Sequence, residues 1–112
     1  IVLKTVGLVD VLRGPLERPD VDLAFVFGSI ASGEEGPGSD VDLLIVGEIG
    51  LRQLSALLPG PAATIGREVN PHVMTPTEFA RRRREGDHLV SSILAGPKLF
   101  VVGNENDLAA VG

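Results

Sequence analysis

Hydrophobic positions along this 112-residue chain occur either in short, mostly apolar runs or at helical spacing. Two of the runs, residues 23–27 and 40–46, have the length and the β-branched residues that are typical of buried strands. A third, residues 68–74, contains Pro71, which lacks an amide donor and predicts a sheet edge or a bulge. Residues 98–102 are predicted to form a final strand.

The segments between these runs carry the signals of helices. Residues 75–78 (Thr-Pro-Thr-Glu) combine an N-cap, Pro at the first helical position and the Glu of a capping box. Helices are predicted over residues 6–17 with an early end at Gly14-Pro15, over 51–58 before Pro59-Gly60, over 75–84, and around 89–94 before Gly96-Pro97. This alternation predicts a single small α/β domain of the α+β type over residues 1–112, with a mixed β-sheet packed with helices.

Two acidic residues interrupt the second strand. Asp40 and Asp42 are two positions apart, so in a strand both side chains point to the same face. Adjacent carboxylates repel each other and gain nothing from the apolar residues that follow them. A hard cation resolves this conflict, and Mg²⁺ commonly uses one or two carboxylates together with substrate phosphates. The pair therefore predicts a metal-nucleotide site.

The same region carries a longer motif. Gly28-Ser29, ten further residues and Asp40-x-Asp42 lie between two strand-like runs. This arrangement resembles the signature of minimal nucleotidyltransferases, small members of the DNA polymerase β-like superfamily. The resemblance is densest over residues 23–47, and weaker similarity extends over most of the chain.

The resemblance implies a nucleotidyltransferase fold and a reaction. A hydroxyl would attack the α-phosphate of ATP or another nucleoside triphosphate, and a nucleoside monophosphate, most simply AMP, would be transferred. It also implies that Asp40 and Asp42 are the catalytic residues and the ligands of two Mg²⁺ ions. Gly28 and Ser29 would bind the nucleotide, Gly28 through close approach of its backbone and Ser29 through its hydroxyl.

The sequence departs from the family pattern on the third strand, where active members usually carry a third carboxylate. Asn70 most naturally occupies that position, and an amide brings neither negative charge nor a general base. Glu68 has the same strand parity and would substitute if Pro71 shifted the register. Asn70 and Glu68 are therefore both candidates for the third position. The departure predicts metal and nucleotide binding with weakened catalysis.

Composition limits the partners. The net charge of −5 argues against non-specific nucleic-acid binding through the whole domain. The chain has no cysteine, which fits a reducing cytoplasm, and its apolar runs are shorter than the roughly 20 residues of a membrane span. Residues 66–103 resemble a subgroup in which this domain often follows an N-terminal helix-turn-helix. The sequence begins at Ile1 and not at Met, so DNA contact would belong to an upstream domain outside this sequence.

Two further features carry alternatives. His72 shares the strand parity of Asn70 and is either a structural histidine or part of the site. Four consecutive arginines, residues 81–84, form a solvated face, a phosphate or RNA contact, or a docking surface for an acidic partner. Three functions follow: a nucleotidyltransferase whose acceptor is a small molecule or a partner protein such as a toxin, as in antitoxins of this type; a nucleotide-binding regulatory module; or a partner-binding module.

Overall fold

The strands and helices predicted from the sequence are present in the predicted order. The structure, a computed structural model, describes residues 5–28 and 40–111 and contains four strands and six helices within them. The strands are β1 (Val21–Phe27), β2 (Val41–Gly47), β3 (Val69–Met74) and β4 (Leu99–Val102), and the helices are α1 (Thr5–Leu16), α2 (Leu51–Leu57), α3 (Pro59–Ile65), α4 (Pro76–Arg84), α5 (His88–Ala95) and α6 (Glu105–Ala110). The α+β class with a mixed sheet is confirmed.

The four strands form one sheet in the order β3-β2-β1-β4. Strand β1 is antiparallel to β2 and β4, whereas β2 and β3 are parallel. Consequently β1 ends where the other three strands begin. We call that end of the sheet the site end, defined by Gly28, Asp40, Asp42 and Asn70. The opposite end, defined by Arg18, Asp20 and Gly47, is called the closed end.

Helices cover both faces of the sheet, which explains why the central strands are apolar at successive positions. One apolar cluster joins α1, α2 and Leu58 to alternate residues of β1 and β2, including Val26 and Ile45. The other joins α4, α5 and α6 to the intervening residues, including Phe25 and Leu44. Asp42 has the parity of Leu44, so its side chain lies on the face covered by α4, α5 and α6.

Two expectations about local structure need correction, and one helix was not predicted. Helix α1 continues through Pro15 to Leu16 because Leu12 and Leu16 are both fully buried, and Pro15 lies only in the last turn. Pro59 does not simply close a helix: it begins α3 directly after α2, at a position where Pro is well tolerated. Helix α6 was not expected, although Asn104 and Asp107 form a reciprocal capping box at its start.

Pro71 occupies an edge strand, as one of the two expectations for it required. The other expectation, a bulge, is wrong for the β2–β3 pair. Its register runs without a shift from Val41 opposite Val69 to Val46 opposite Met74. An edge strand leaves one side of its backbone unpaired, so the missing amide of Pro71 removes no bond from the ladder.

The helices are short. Helix α1 has 12 residues, and α6 has six. Within residues 5–28 and 40–111, none of the helices combines the length and the hydropathy that a membrane span requires.

Candidate functional site

The two aspartates lie where β2 begins. Asp40 immediately precedes the strand and is exposed, whereas Asp42 is its second residue and is half-buried. Asp42 is flanked in register by Phe27 of β1 and by Asn70 of β3. Directly opposite residues share a face of the sheet, so all three side chains lie on the same face.

Asn70 completes a polar group with the aspartates. Its Nδ2 donates a hydrogen bond to Oδ2 of Asp40 at 3.1 Å. The register and this bond bring Asn70 to both aspartates. The amide stabilises the Asp40 carboxylate by donating a hydrogen bond, whereas a third carboxylate at this position would repel its neighbours in the absence of a cation.

Glu68 is not brought into that group. It lies one residue before β3, and its side chain is exposed, while its carbonyl oxygen accepts a 2.8 Å bond from the amide of Val41. Because the β2–β3 register has no shift, the bulge that would have carried Glu68 to the place of Asn70 is absent from this pair.

Gly28 approaches the aspartates from β1. Its φ is +80°, a left-handed conformation that L side chains rarely adopt. A Cβ at this position would lie 2.7 Å from Oδ2 of Asp42, closer than real Cβ atoms approach an oxygen. The backbone conformation therefore favours glycine here, and an added Cβ would displace the Asp42 carboxylate. Ser29, the other predicted nucleotide-binding residue, lies outside the described residues.

His72 packs against Phe27, with ring centroids 5.6 Å apart and planes inclined by 55°. This contact gives His72 a structural role on the site face, two residues along the strand from Asn70. Phe27 was not predicted as part of the site. It is the last residue of β1, directly before Gly28, and it has the same strand parity as Leu23 and Phe25. The signal that identifies it is its cross-strand pairing with Asp42.

The donor set fits a hard cation only in part. Two carboxylates and one amide oxygen are ligand types that Mg²⁺ accepts, and the carboxylates supply a charge of −2. Within residues 5–28 and 40–111, the structure contains no group of three or more His, Cys, Asp or Glu side chains arranged to hold a metal. This agrees with an amide at the third position.

The arginine run on α4 is divided between internal contacts and solvent. Arg82 pairs with Glu78 at 2.9 Å and approaches Asp87 at 3.9 Å. Arg83 donates to the carbonyl oxygens of Leu108 and Val111, which anchors the end of α6. Arg81 and Arg84 are exposed, so the prediction of a solvated face describes only half of the run.

Sequence comparison identifies the family. The profile of the nucleotidyltransferase domain family matches residues 10–95, about three quarters of the chain. The chain belongs to this family. No curated protein matches it at a significant level. The family assignment confirms the resemblance that was drawn from Gly28-Ser29 and Asp40-x-Asp42.

Solved structures with this fold include chains of toxin-antitoxin complexes. One is a mutant MntA-HpeT complex, with TM-score 0.66 and 14% identity over 97% of this chain and 81% of that chain. A second is a toxin-antitoxin with AMP-PNP, with TM-score 0.61 and 15% identity over 96% and 80%. A third is the tri-AMPylated HEPN toxin of Shewanella oneidensis in complex with MNT antitoxin, with TM-score 0.58 and 14% identity over 96% and 76%. At these identities the likeness establishes the nucleotidyltransferase fold.

Proposed function

We propose that this domain transfers a nucleoside monophosphate, AMP in the first instance, from a Mg²⁺-bound nucleoside triphosphate to a hydroxyl acceptor. The observation that carries the proposal is the meeting of Gly28, Asp40, Asp42 and Asn70 at the site end of the sheet. These residues come from three strands that are distant in sequence. A polar group of this kind, in a nucleotidyltransferase domain, supports a site for phosphates and their cation.

The residues divide the work by their chemistry. Asp40 and Asp42 would hold Mg²⁺, two ions if the site is fully active, and a bound cation would neutralise the charge of the triphosphate. Gly28 leaves the space beside Asp42 open to phosphate oxygens, and the Ser29 hydroxyl would donate to one of them. The acceptor oxygen bonds to the α-phosphorus while the bond to pyrophosphate breaks. The acceptor proton passes to a carboxylate or to solvent, since the Asn70 amide is no base.

The proposed acceptor is a hydroxyl of a partner protein. One structural neighbour comes from a complex of a tri-AMPylated HEPN toxin with MNT antitoxin, and another comes from a toxin-antitoxin with AMP-PNP. By this analogy of fold, the chain would act as an antitoxin that modifies a cytoplasmic toxin. A protein acceptor also suits a site end where Asp40 is exposed.

A second function is favoured by Asn70. The Asn70 amide donates a hydrogen bond to Asp40 and carries no negative charge, so the site offers two carboxylates and not three to a second metal ion. A domain of this kind would bind Mg²⁺-nucleotide without rapid transfer and would report occupancy to an attached partner or DNA-binding domain.

The experiment that tests transfer uses ATP labelled at the α- or the γ-phosphate. With Mg²⁺ and a lysate as the source of acceptor proteins, the domain is expected to attach label from the α-phosphate only. Asp42→Asn should abolish labelling, whereas Asp22→Asn, which changes an exposed strand aspartate near the closed end, should retain it. Label from the γ-phosphate would contradict nucleotidyl transfer. Nucleotide binding without any labelling would favour the regulatory module.

A further inference from the structure

A pocket of about 280 Å³ opens directly beside the polar group of the site end. It lies between the end of β1 and α5. Its walls include Phe27, Gly28, Leu89, Ser92, Gly96 and Pro97. None of the roles proposed above for the aspartates or Asn70 uses this space.

The pocket and the carboxylates share a wall. Gly28 lines the pocket, and its backbone is so close to Asp42 that a Cβ would lie 2.7 Å from the carboxylate oxygen. Phe27 also lines the pocket and is the cross-strand partner of Asp42. A ligand whose phosphates lie at Asp42 therefore has its remaining part within reach of the pocket.

The lining chemistry indicates which part of a nucleotide fits. Of the described residues that line the pocket, only Ser92 carries a polar side chain, and none is charged. Such a wall does not suit phosphate, but it suits the faces of a planar, weakly polar ring system. Phe27, Leu89 and Pro97 provide apolar surface for such a ring, and Phe27 offers an aromatic face or edge.

The volume agrees with that occupant. Pockets for complete drug-sized ligands typically measure about 300–1,000 Å³. At about 280 Å³, this pocket is suited to one portion of a nucleotide rather than to the whole molecule. The polar group at the site end lies outside it and is free to take the phosphates.

We propose that this pocket receives the nucleobase of the nucleotide whose phosphates lie at Gly28 and Asp42. The inference rests on the proposed nucleotide site and adds the subsite that separates a nucleotide from a simple polyphosphate. The described lining residues offer one side-chain hydroxyl, that of Ser92, for hydrogen bonding, so they should discriminate weakly between bases. ATP and GTP are therefore expected to bind with affinities within a few-fold of each other.

Two serines of α5 provide a matched pair of variants for the test. Ser91 and Ser92 are both exposed, but only Ser92 lines the pocket. Ser92→Trp places a large ring at the pocket while leaving the buried residues of the helix unchanged, and Ser91→Trp adds the same ring outside it. Thermal unfolding of both variants checks that the fold is retained.

The measurement is calorimetric titration of ATP and of tripolyphosphate, both with Mg²⁺. The wild type is expected to bind ATP about tenfold or more tightly than tripolyphosphate, because a stacked base contributes to binding. Ser92→Trp should remove that advantage and leave tripolyphosphate binding unchanged, and Ser91→Trp should alter neither.

Two results would overturn the inference in distinguishable ways. Equal ATP affinities in the Ser92→Trp and Ser91→Trp variants, with the wild type still binding Mg²⁺-ATP, would show that the base lies elsewhere, while the proposed nucleotide site would stand. If the wild type bound neither ATP nor tripolyphosphate, the proposed function itself would be wrong, and the base pocket would fall with it.

Discussion

The acidic residues at the two ends of the sheet have different hydrogen-bond partners. At the closed end, Asp20 receives two hydrogen bonds from the Arg18 guanidinium, at 2.9 and 3.3 Å. At the site end, Asp40 and Asp42 lie on one face of a strand, and Asp40 accepts a hydrogen bond from the neutral amide of Asn70. At the closed end, an arginine of the same chain neutralises the carboxylate. At the site end, the two carboxylates keep negative charge that a bound cation would neutralise.

The two ends also use glycine for different purposes. A Cβ at Gly47 would contact the carbonyl oxygen and the Cα of the adjoining residues 20 and 21, so glycine there permits two backbone segments to pack. A Cβ at Gly28 would instead meet the side chain of Asp42. One glycine serves the fold and the other keeps space open at a carboxylate. We therefore predict that the close approach at the site end serves binding, and that variants at each end separate the two roles.

Among the glycine variants, the largest effect on binding is expected for Gly28→Ala. The added Cβ would collide with Asp42 Oδ2, and the left-handed backbone would cost about 1–2 kcal/mol for an L residue. Calorimetry should show at least about a tenfold loss of Mg²⁺-ATP affinity, and thermal unfolding should show a lower Tm. Gly66→Ala is the control: φ is +78° and no atom lies within 4 Å, so the Tm should fall while ATP affinity is kept. Equal affinities for the two variants would contradict a binding role for Gly28.

Gly47→Ala should have a large effect on stability alone. Its Cβ would force apart the backbone at the closed end, and overpacking of this kind costs about 1–3 kcal/mol. Chemical denaturation should show the lower free energy of unfolding, and titration of the folded variant should show unchanged Mg²⁺-ATP affinity. A loss of affinity as large as that of Gly28→Ala would mean that the two ends are not independent.

The effect of Asn70→Asp on stability should change sign when Mg²⁺ is added. Without the cation, the variant loses the amide donor to Asp40 and gains a third neighbouring carboxylate, which should lower stability by about 1 kcal/mol. With Mg²⁺, the added charge should increase metal affinity and raise the Tm more than in the wild type. Thermal unfolding across a Mg²⁺ series measures both effects. Glu68→Gln, outside the polar group, should leave the Mg²⁺ dependence unchanged, and an unchanged dependence in Asn70→Asp would remove Asn70 from the third position.

The smallest effect is expected for Arg18→Gln at the closed end. The hydrogen bonds from Arg18 lower the pKa of Asp20 below its ordinary value of 3.8. A carboxyl whose pKa is lowered by folding stabilises the protein above its unfolded pKa, and this contribution is lost as the pH falls through the folded pKa. The variant should therefore have a slightly lower Tm at neutral pH and no difference once Asp20 is protonated. Melting curves over acidic pH test this, and a difference that grew on acidification would contradict the sign.

Much of the fold was predictable because its signals are local. The apolar runs of β1 and β2 exceed any competing pattern, and the Thr75 cap was confirmed by the bond that its side chain accepts from the amide of Glu78. The errors arose where short segments depend on packing. Pro15 remains in α1 because Leu16 is buried, and α6 is only six residues long with Leu108 as its buried residue.

The candidate site divides in the same way. The parity of Asp40 and Asp42 follows from strand geometry, so their common face was predictable. The choice between Asn70 and Glu68 depended on the register of two parallel strands joined by α2 and α3, which no local signal determines. The pocket beside Gly28 depends likewise on how α5 packs against the end of β1. The roles assigned to all these residues remain predictions.

The most direct test of the central claim is titration of ATP into the purified domain with and without Mg²⁺, beside Asp40→Ala and Asp22→Ala. The site end is predicted to bind ATP only with Mg²⁺. That binding should be lost in Asp40→Ala and kept in Asp22→Ala, with similar Tm values for the two variants without ligand. Mg²⁺-dependent binding that survived in Asp40→Ala would contradict the account, because the Asp40 carboxylate would then not be needed to bind Mg²⁺-ATP.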